Sequence, residues 1–336
     1  MKRIQEALNE KILILDGPMG TMIQNENLKE EDYRGKKFES SSISLKGNND
    51  ILNLTQEKII YDIHTKYLSA GADIIETNTF NSTKTSQFDY KCEDFSYDLN
   101  FSGGKIARKA VDDFLIKNPN ETKYVAGVLG PTNRTCSMSP DVNNPGFRNI
   151  SFDELYSDYE KSSEALIEAG VDVIMVETVF DTLNAKAALS AIGGACKKSK
   201  KNIPIMISAT ITDLSGRTLS GQTIEAFYNS ILHVDPLSVG LNCALGPKEL
   251  EPYIIELDRI SESFISVHPN AGLPNAFGEY DETPDSMANF AKKWSQNGYI
   301  NIIGGCCGAT PDHINLMAQK VRNIKPRKTK TFDPKL

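Results

Sequence analysis

Three cysteines stand beside glycines in two short segments, and their spacing predicts a metal centre. Cys243 lies in residues 240–246 (Gly-Leu-Asn-Cys-Ala-Leu-Gly), while Cys306 and Cys307 lie in residues 304–308 (Gly-Gly-Cys-Cys-Gly). Three thiolates suit Zn²⁺, and three protein ligands with one open position are typical of a catalytic rather than a structural zinc. Adjacent residues of a strand point to opposite faces, so Cys306 and Cys307 can share one ion only if the backbone turns there. The flanking glycines allow such a turn.

Other roles for these cysteines stay open at the level of the sequence. They could be buried thiols, or two of them could form a disulfide. His268 and Asn270 are near enough to the predicted site to supply a fourth ligand. The remaining cysteines, Cys92, Cys136 and Cys196, stand alone in the sequence, and we interpret them as ordinary thiols.

The predicted metal ligands end two of eight short apolar runs that alternate with amphipathic stretches. The runs are nearly continuous in apolar residues, as expected of parallel strands covered on both faces. The predicted strands are residues 12–17, 72–79, 124–131, 171–178, 203–212, 237–243, 264–270 and 300–306. Eight such βα units predict a single-domain α/β fold, a (β/α)₈ TIM barrel over residues 1–325. A doubly wound sheet is the alternative, but no Gly-x-Gly-x-x-Gly follows the first strand.

Helix signals separate the predicted strands. Residues 151–169 open with Ser-Phe-Asp-Glu, a capping box. Three further segments begin with proline, which favours the first helical turn. The predicted helices are residues 55–70, 151–169, 247–260, 284–297 and 311–324. Two insertions, residues 25–53 and 132–149, follow the first and third strands on the side where a barrel builds its active site.

Composition limits the classes of function. A net charge of −7 and a pI near 5.3 argue against a nucleic-acid-binding surface. The first residues lack the apolar core of a signal peptide, and no uncharged run is long enough to span a bilayer. Six cysteines in a chain of 336 residues fit a reducing compartment. We therefore expect a soluble, cytoplasmic protein, with residues 326–336 forming either a solvated basic tail or a linker stub toward another module.

Polar residues gather at the C-terminal ends of the predicted strands, where a barrel would bring them around one mouth. Asp16 and Glu177 end the first and fourth strands, and residues 17–20 are rich in glycine. Such a cleft can hold a zwitterionic amino acid, because carboxylates accept from an ammonium group and free backbone N–H groups donate to a carboxylate. Glu76 and Asp181 also end strands, but each could equally bond the backbone of the barrel rim.

Several of these segments resemble the homocysteine S-methyltransferase family, in the family's order and over about residues 10–325. The matching segments are residues 16–21, 76–80, 130–132, 177–178, 240–243 and 304–308. Within the family, residues 45–50, 215–222 and 269–274 are similar to the N-terminal homocysteine-binding module of cobalamin-dependent methionine synthases. A complete enzyme of that kind also carries folate, cobalamin and reactivation modules, so the chain could be an excised module or a stand-alone subunit.

The resemblance implies a barrel that holds Zn²⁺ on Cys243, Cys306 and Cys307. It implies methyl transfer to the thiol of homocysteine, giving methionine, with methylcobalamin as the donor on a separate cobalamin-binding module. Asn270 matches an asparagine that could replace the substrate as a zinc ligand. S-methylmethionine or betaine is the alternative donor, and a non-catalytic zinc-binding or docking subunit is the alternative of another class.

The resemblance also implies how homocysteine is held. The substrate would lie near Asp16 and Glu177. The family commonly has a small residue where this chain has Pro18. Because proline has no N–H, backbone contacts to the substrate carboxylate are expected from Met19 or Gly20 instead.

Overall fold

A computed structural model describes residues 3–212, 215–273 and 280–331, and it contains one parallel sheet of eight strands. The strands are β1 (Leu13–Ile14), β2 (Ile74–Glu76), β3 (Tyr124–Leu129), β4 (Val173–Val179), β5 (Ile205–Ala209), β6 (Ser238–Asn242), β7 (Phe264–His268) and β8 (Ile302–Ile303). They pair in the order β1-β8-β7-β6-β5-β4-β3-β2, and a bridge between Leu15 and Ile74 joins the two ends of the series. The predicted (β/α)₈ barrel is confirmed, and the doubly wound alternative is wrong.

Helix α1 precedes β1, and the other helices follow the strands along the chain. They are α1 (Ile4–Glu10), α2 (Met19–Asn25), α3 (Glu30–Arg34), α4 (Leu52–Thr55), α5 (Glu57–Ser69), α6 (Lys84–Gln87), α7 (Ser96–Lys117), α8 (Phe152–Ala169), α9 (Thr182–Ser199), α10 (Ile224–Ile231), α11 (Pro247–Ile260), α12 (Pro284–Gln296) and α13 (Pro311–Val321). The predicted capping box is present, since Glu154 N donates to Ser151 Oγ and Ser151 N donates to Glu154 Oε2. Among the described residues, no helix combines the length and apolar character needed to cross a bilayer.

The barrel interior is closed at the N-terminal ends of the strands by α1, a helix that the sequence pattern did not reveal. Ile4, Ala7 and Leu8 of α1 are buried in one cluster with residues that line the barrel. That cluster includes Tyr124, which begins β3, and reaches Phe264, which begins β7. Because this end is filled, the C-terminal ends of the strands form the open mouth.

The insertion after β1 is fastened to the loop after β2 by a buried carboxyl group. Asp50 is 3% exposed and accepts hydrogen bonds from Asn81 N, at 2.6 Å, and from Ser82 Oγ, at 2.8 Å. Burial raises the pKa of Asp50 to about 7. These contacts fix one side of the mouth.

Beyond residue 325, the described part of the basic tail packs on the barrel. Arg327 is 3% exposed, and its Nε lies 2.7 Å from Asp258 Oδ1. Its other guanidinium nitrogens donate to the carbonyl oxygens of Ser261 and Ser263. The domain boundary at residue 325 and a linker role for the tail stay predictions, and residues 332–336 lie outside the described part of the chain.

Candidate metal centre and substrate pocket

The three predicted metal ligands come together at the mouth of the barrel. Their Sγ atoms all lie within 4.8 Å of one another, and Cys243 Sγ is 3.7 Å from Cys307 Sγ. Four sulfur ligands around zinc, each at about 2.3 Å, would be about 3.8 Å apart. All six cysteines of the chain are free, so the disulfide alternative does not apply to this structure. The donor set and the spacing both fit a zinc ion.

The backbone after β6 is bent so that Cys243 points into the mouth. Cys243 has φ 60° and Ala244 has φ 54°, so two consecutive residues other than glycine adopt the left-handed conformation. Such conformations cost free energy and persist where the surrounding structure holds them. Here, Cys243 N donates to the carbonyl oxygen of His268, and Leu245 N donates to that of Cys243.

A tight turn after β8 lets Cys306 and Cys307 face one ion, as the flanking glycines predicted. The turn closes with a hydrogen bond from Ala309 N to the carbonyl oxygen of Cys306, and Gly308 has φ 81°. A Cβ on Gly308 would also lie 2.4 Å from Cγ of Tyr280. Glycine therefore serves both the turn and the packing of an aromatic ring beside the sulfur atoms.

Hydrogen bonds among the three sulfur atoms shift the pKa values of their thiols in opposite directions. Hydrogen bonds from Cys243 and Cys306 hold the pKa of the Cys307 thiol at about 3, and a hydrogen bond with Cys243 raises the pKa of Cys306. One thiolate is thus already stabilised by two S–H groups. A metal cation would take the place of those protons.

A second cluster of titratable groups lies deeper in the mouth. Glu76, Glu177 and a ring nitrogen of His268 offer ligand atoms within 4.8 Å of one another. Asp16 is linked to them, because its Oδ2 accepts a hydrogen bond from Glu76 N at 3.1 Å. We call Asp16, Glu76, Glu177 and His268 the acid cluster. The two predicted substrate carboxylates belong to it, and so does Glu76.

Burial governs the protonation of the acid cluster. Burial and then the charge on Cys307 raise the pKa of Glu177 to about 8. Burial is also the largest cause of the raised pKa values of Asp16 and Glu76, and neighbouring carboxylates add to both shifts. His268 is held neutral, because burial lowers its pKa to about 3. A cation bound in the cluster would therefore stabilise the ionised forms of these carboxyl groups.

One side-chain amide joins the acid cluster to the sulfur ligands. Asn242, the last residue of β6, is fully buried, and its Nδ2 lies 3.4 Å from Glu177 Oε2 and 4.0 Å from Cys306 Sγ. The same Nδ2 donates to Thr178 Oγ1 at 2.8 Å, while Oδ1 accepts from Thr178 N and from Ser208 Oγ. Thr178 has φ 56° and follows Glu177 at an irregularity in the pairing of β4 with β5. The signal that could have identified Asn242 is an amide at the end of an apolar strand, directly before a predicted ligand.

The remaining predicted residues occupy distinct positions. Asn270 is 4% exposed and its Oδ1 has no hydrogen-bond partner, which leaves that oxygen available to a cation. Met19 and Gly20 begin α2 directly after Pro18. Asp181 caps α9 by accepting from two backbone N–H groups, and this is the structural role that the sequence left open for it.

The comparisons with known proteins agree with this geometry. The model of the family described as homocysteine S-methyltransferase matches residues 13–321. The metallated form of the homocysteine methyltransferase MmuM from Escherichia coli is 21% identical, with a TM-score of 0.71 over 94% of this chain and 99% of that chain. The oxidised form of MmuM is 20% identical, with a TM-score of 0.69 over 92% and 96% of the two chains. At these identities the structures support the fold, whereas the family match spans both clusters and confirms the resemblance. The chain belongs to the homocysteine S-methyltransferase family.

Proposed function

We propose that this protein transfers a methyl group from methylcobalamin to the sulfur of homocysteine and releases methionine. The observation that carries the proposal is the position of three sulfur ligands beside a separate buried acid cluster. An amino acid with a thiol side chain can bind both parts of the site. Its sulfur can bind the metal that the cysteines would hold, and its ammonium group can donate to the carboxylates. Membership of the family supports homocysteine as the methyl acceptor.

The sulfur ligands would hold zinc. Cys243, Cys306 and Cys307 match a soft divalent ion in donor type and in spacing. Zinc, when bound, supplies an open position at which a thiol loses its proton at neutral pH. Asn270, whose Oδ1 has no partner, would serve as the fourth ligand while homocysteine is absent.

The amino-acid end of the substrate would be held deeper in the mouth, at the acid cluster. Asp16 and Glu177 would accept hydrogen bonds from the ammonium group. Met19 and Gly20 would donate backbone N–H groups to the carboxylate, because the first N–H groups of a helix have no carbonyl acceptor within it. These contacts would orient the sulfur toward the open mouth, from which the methyl donor approaches.

The donor is proposed to be methylcobalamin on a separate module. Support comes from residues 45–50, 215–222 and 269–274, which are similar to the cobalamin-dependent branch; Pro274 in the last segment lies outside the described residues. Leu219 and Leu273 in two of these segments are 58% and 49% exposed. Exposed apolar side chains on loops are a feature of surfaces that bind a partner.

Analysis of the methylated product tests this proposal. The zinc-loaded protein is incubated with homocysteine and, in separate reactions, with methylcobalamin, S-methylmethionine or betaine, and methionine is quantified. We expect slow methionine formation from methylcobalamin and a sharp rise when a cobalamin-binding module is added, because positioning raises the effective concentration of the donor. A Cys306→Ser variant serves as the inactive control.

Other outcomes would redirect the assignment. Rapid turnover with S-methylmethionine or betaine, and none with methylcobalamin, would place the protein in the cobalamin-independent branch. Zinc binding with no methionine from any of the three donors, with and without the added module, would favour a non-catalytic zinc-binding or docking subunit.

A further inference from the structure

The acid cluster contains three carboxyl groups without a cationic partner, two of them on buried residues and one on the half-buried Glu76. Asp16 is 2% exposed and Glu177 is 7% exposed. Within the described residues, none of the carboxyl groups of Asp16, Glu76 and Glu177 forms an ion pair with a lysine or an arginine. Burying carboxyl groups without a counter-charge is costly, so the fold maintains a site that a cation would stabilise.

The cluster also contains hydrogen-bonding atoms without partners. Asp16 Oδ1, Glu76 Oε1 and His268 Nε2 are buried and make no hydrogen bond. His268 is 2% exposed, and a neutral imidazole offers one acceptor nitrogen. Buried polar atoms are normally paired, so these atoms indicate a ligand that brings donors.

A primary ammonium group has the required chemistry. It carries one positive charge and three N–H donors, which match the unpaired buried atoms of Asp16, Glu76 and His268. The acid cluster is also close enough to the sulfur atoms for one ligand to reach both. Asn242 Nδ2 lies 3.4 Å from Glu177 Oε2 and 4.0 Å from Cys306 Sγ. Homocysteine separates its sulfur from its nitrogen by three carbon atoms, so one molecule can reach both clusters.

We infer that Glu76 and His268 are specificity-determining residues that bind the substrate ammonium together with Asp16 and Glu177. They select thiols that carry an α-ammonium group over thiols of the same length that lack it. This inference rests on the proposed function and adds to it a reason for the third carboxyl group and the imidazole of the cluster.

Isothermal titration calorimetry of the zinc-loaded protein tests the inference without any methyl donor. The two ligands are homocysteine and 4-mercaptobutanoate, which is the same molecule without its amino group. The wild-type protein should bind homocysteine more tightly, and Glu76→Gln should reduce the ratio of the two affinities by about tenfold or more, the effect of losing one charge-assisted contact. Asp181→Asn is the matched control, because Asp181 is a buried carboxylate at the same mouth that caps α9, and its ratio should equal that of the wild type.

His268 provides a second test that does not change a carboxyl group. His268→Phe keeps a ring but removes both nitrogens, whereas His268→Gln retains an acceptor. The affinity ratio should fall in His268→Phe and recover at least in part in His268→Gln. Thermal unfolding of the ligand-free Glu76→Gln protein should occur at or above the wild-type temperature, since an unpaired buried acid has been removed.

The results distinguish the inference from the proposed function. If the wild-type protein does not bind homocysteine, both are overturned. If it binds homocysteine but Glu76→Gln and His268→Phe leave the affinity ratio unchanged, or weaken both thiols equally, the inference alone is overturned. A second equivalent of zinc that is lost in Glu76→Gln would also overturn it, because the cluster would then be a metal site.

Discussion

Replacing Asn242 tests whether its side-chain amide fixes the position of the acid cluster relative to the three cysteines. Asn242→Ala removes the acceptor of Thr178 N, at 3.1 Å, and of Ser208 Oγ, at 2.7 Å. It also removes the donor to Thr178 Oγ1, at 2.8 Å, and the N–H that faces Glu177. Since Asn242 is fully buried, water cannot easily replace these bonds.

The cost follows from the groups left unpaired. Each buried donor without an acceptor costs about 1–3 kcal/mol, so losing the partners of Thr178 N and Ser208 Oγ should lower the free energy of unfolding by about 2–6 kcal/mol. Ser208→Ala removes one of these bonds together with its donor and should cost only about 0.5–1.5 kcal/mol. The double variant should cost less than the sum of the two single changes, because they share one bond.

Urea unfolding of the metal-free proteins measures this cycle, and calorimetry of the zinc-loaded proteins measures homocysteine binding. Asn242→Ala should weaken homocysteine binding by roughly tenfold. Glu177 would lose a hydrogen-bond donor, and Thr178 would lose the two hydrogen bonds to Asn242 that stabilise its left-handed conformation. Ser208→Ala should leave the affinity close to that of the wild type. Strict additivity in the cycle, or an unchanged affinity in Asn242→Ala, would refute the reasoning.

Further predictions concern the metal, the substrate and pH. Serine at any one of the three metal-site cysteines should reduce the zinc content from one equivalent per chain to near none while circular dichroism stays native, whereas Cys196→Ser on α9 should keep full zinc. Asp16→Asn or Glu177→Gln should raise the KM for homocysteine by about tenfold or more at unchanged zinc content; unaltered kinetics in both variants would assign these carboxyls to structural roles. Asp50 has a pKa of about 7 in the fold and near 4 when unfolded, so the stability it contributes is fully present below about pH 4 and is lost as the pH rises to about 7, by at most about 4 kcal/mol. Asp50→Asn should flatten that part of the pH dependence of urea unfolding, and equal slopes in both proteins would contradict the assignment.

The sequence contained enough information for the barrel and for the metal ligands. The strands are recognisable because each is an apolar run between polar breaks, and the periodicity of a local segment is visible without tertiary structure. The group of three cysteines is recognisable because cysteine is rare and glycine marks a backbone that must bend, as at Gly308 with its φ of 81°. The capping box at Ser151 is equally local.

The acid cluster could be predicted only in part, because it depends on tertiary geometry. Glu76 ends β2 and Glu177 lies two residues before the end of β4, but the side chains that meet are set by the irregular pairing after Val176 and by the left-handed Thr178. Neither feature has a signature in residue types, since threonine is a poor candidate for positive φ. The sequence offered both His268 and Asn270 as a fourth zinc ligand. In the structure, His268 lies with the carboxyl groups of the acid cluster. Helix α1 was missed because seven residues are too few for a clear helical period.

The end of β7 explains why the two clusters keep a fixed separation. His268 belongs to the acid cluster, and its carbonyl oxygen accepts a hydrogen bond from Cys243 N. The next residues continue the pattern, since the carbonyl oxygen of residue 269 accepts from Cys306 N and the N–H of residue 271 donates to the carbonyl oxygen of Cys307. The position of the three cysteines relative to His268 is therefore set by bonds between backbone atoms. A site that must distinguish amino-acid thiols by chain length needs such a fixed span, because one methylene group is worth only about 1–3 kcal/mol.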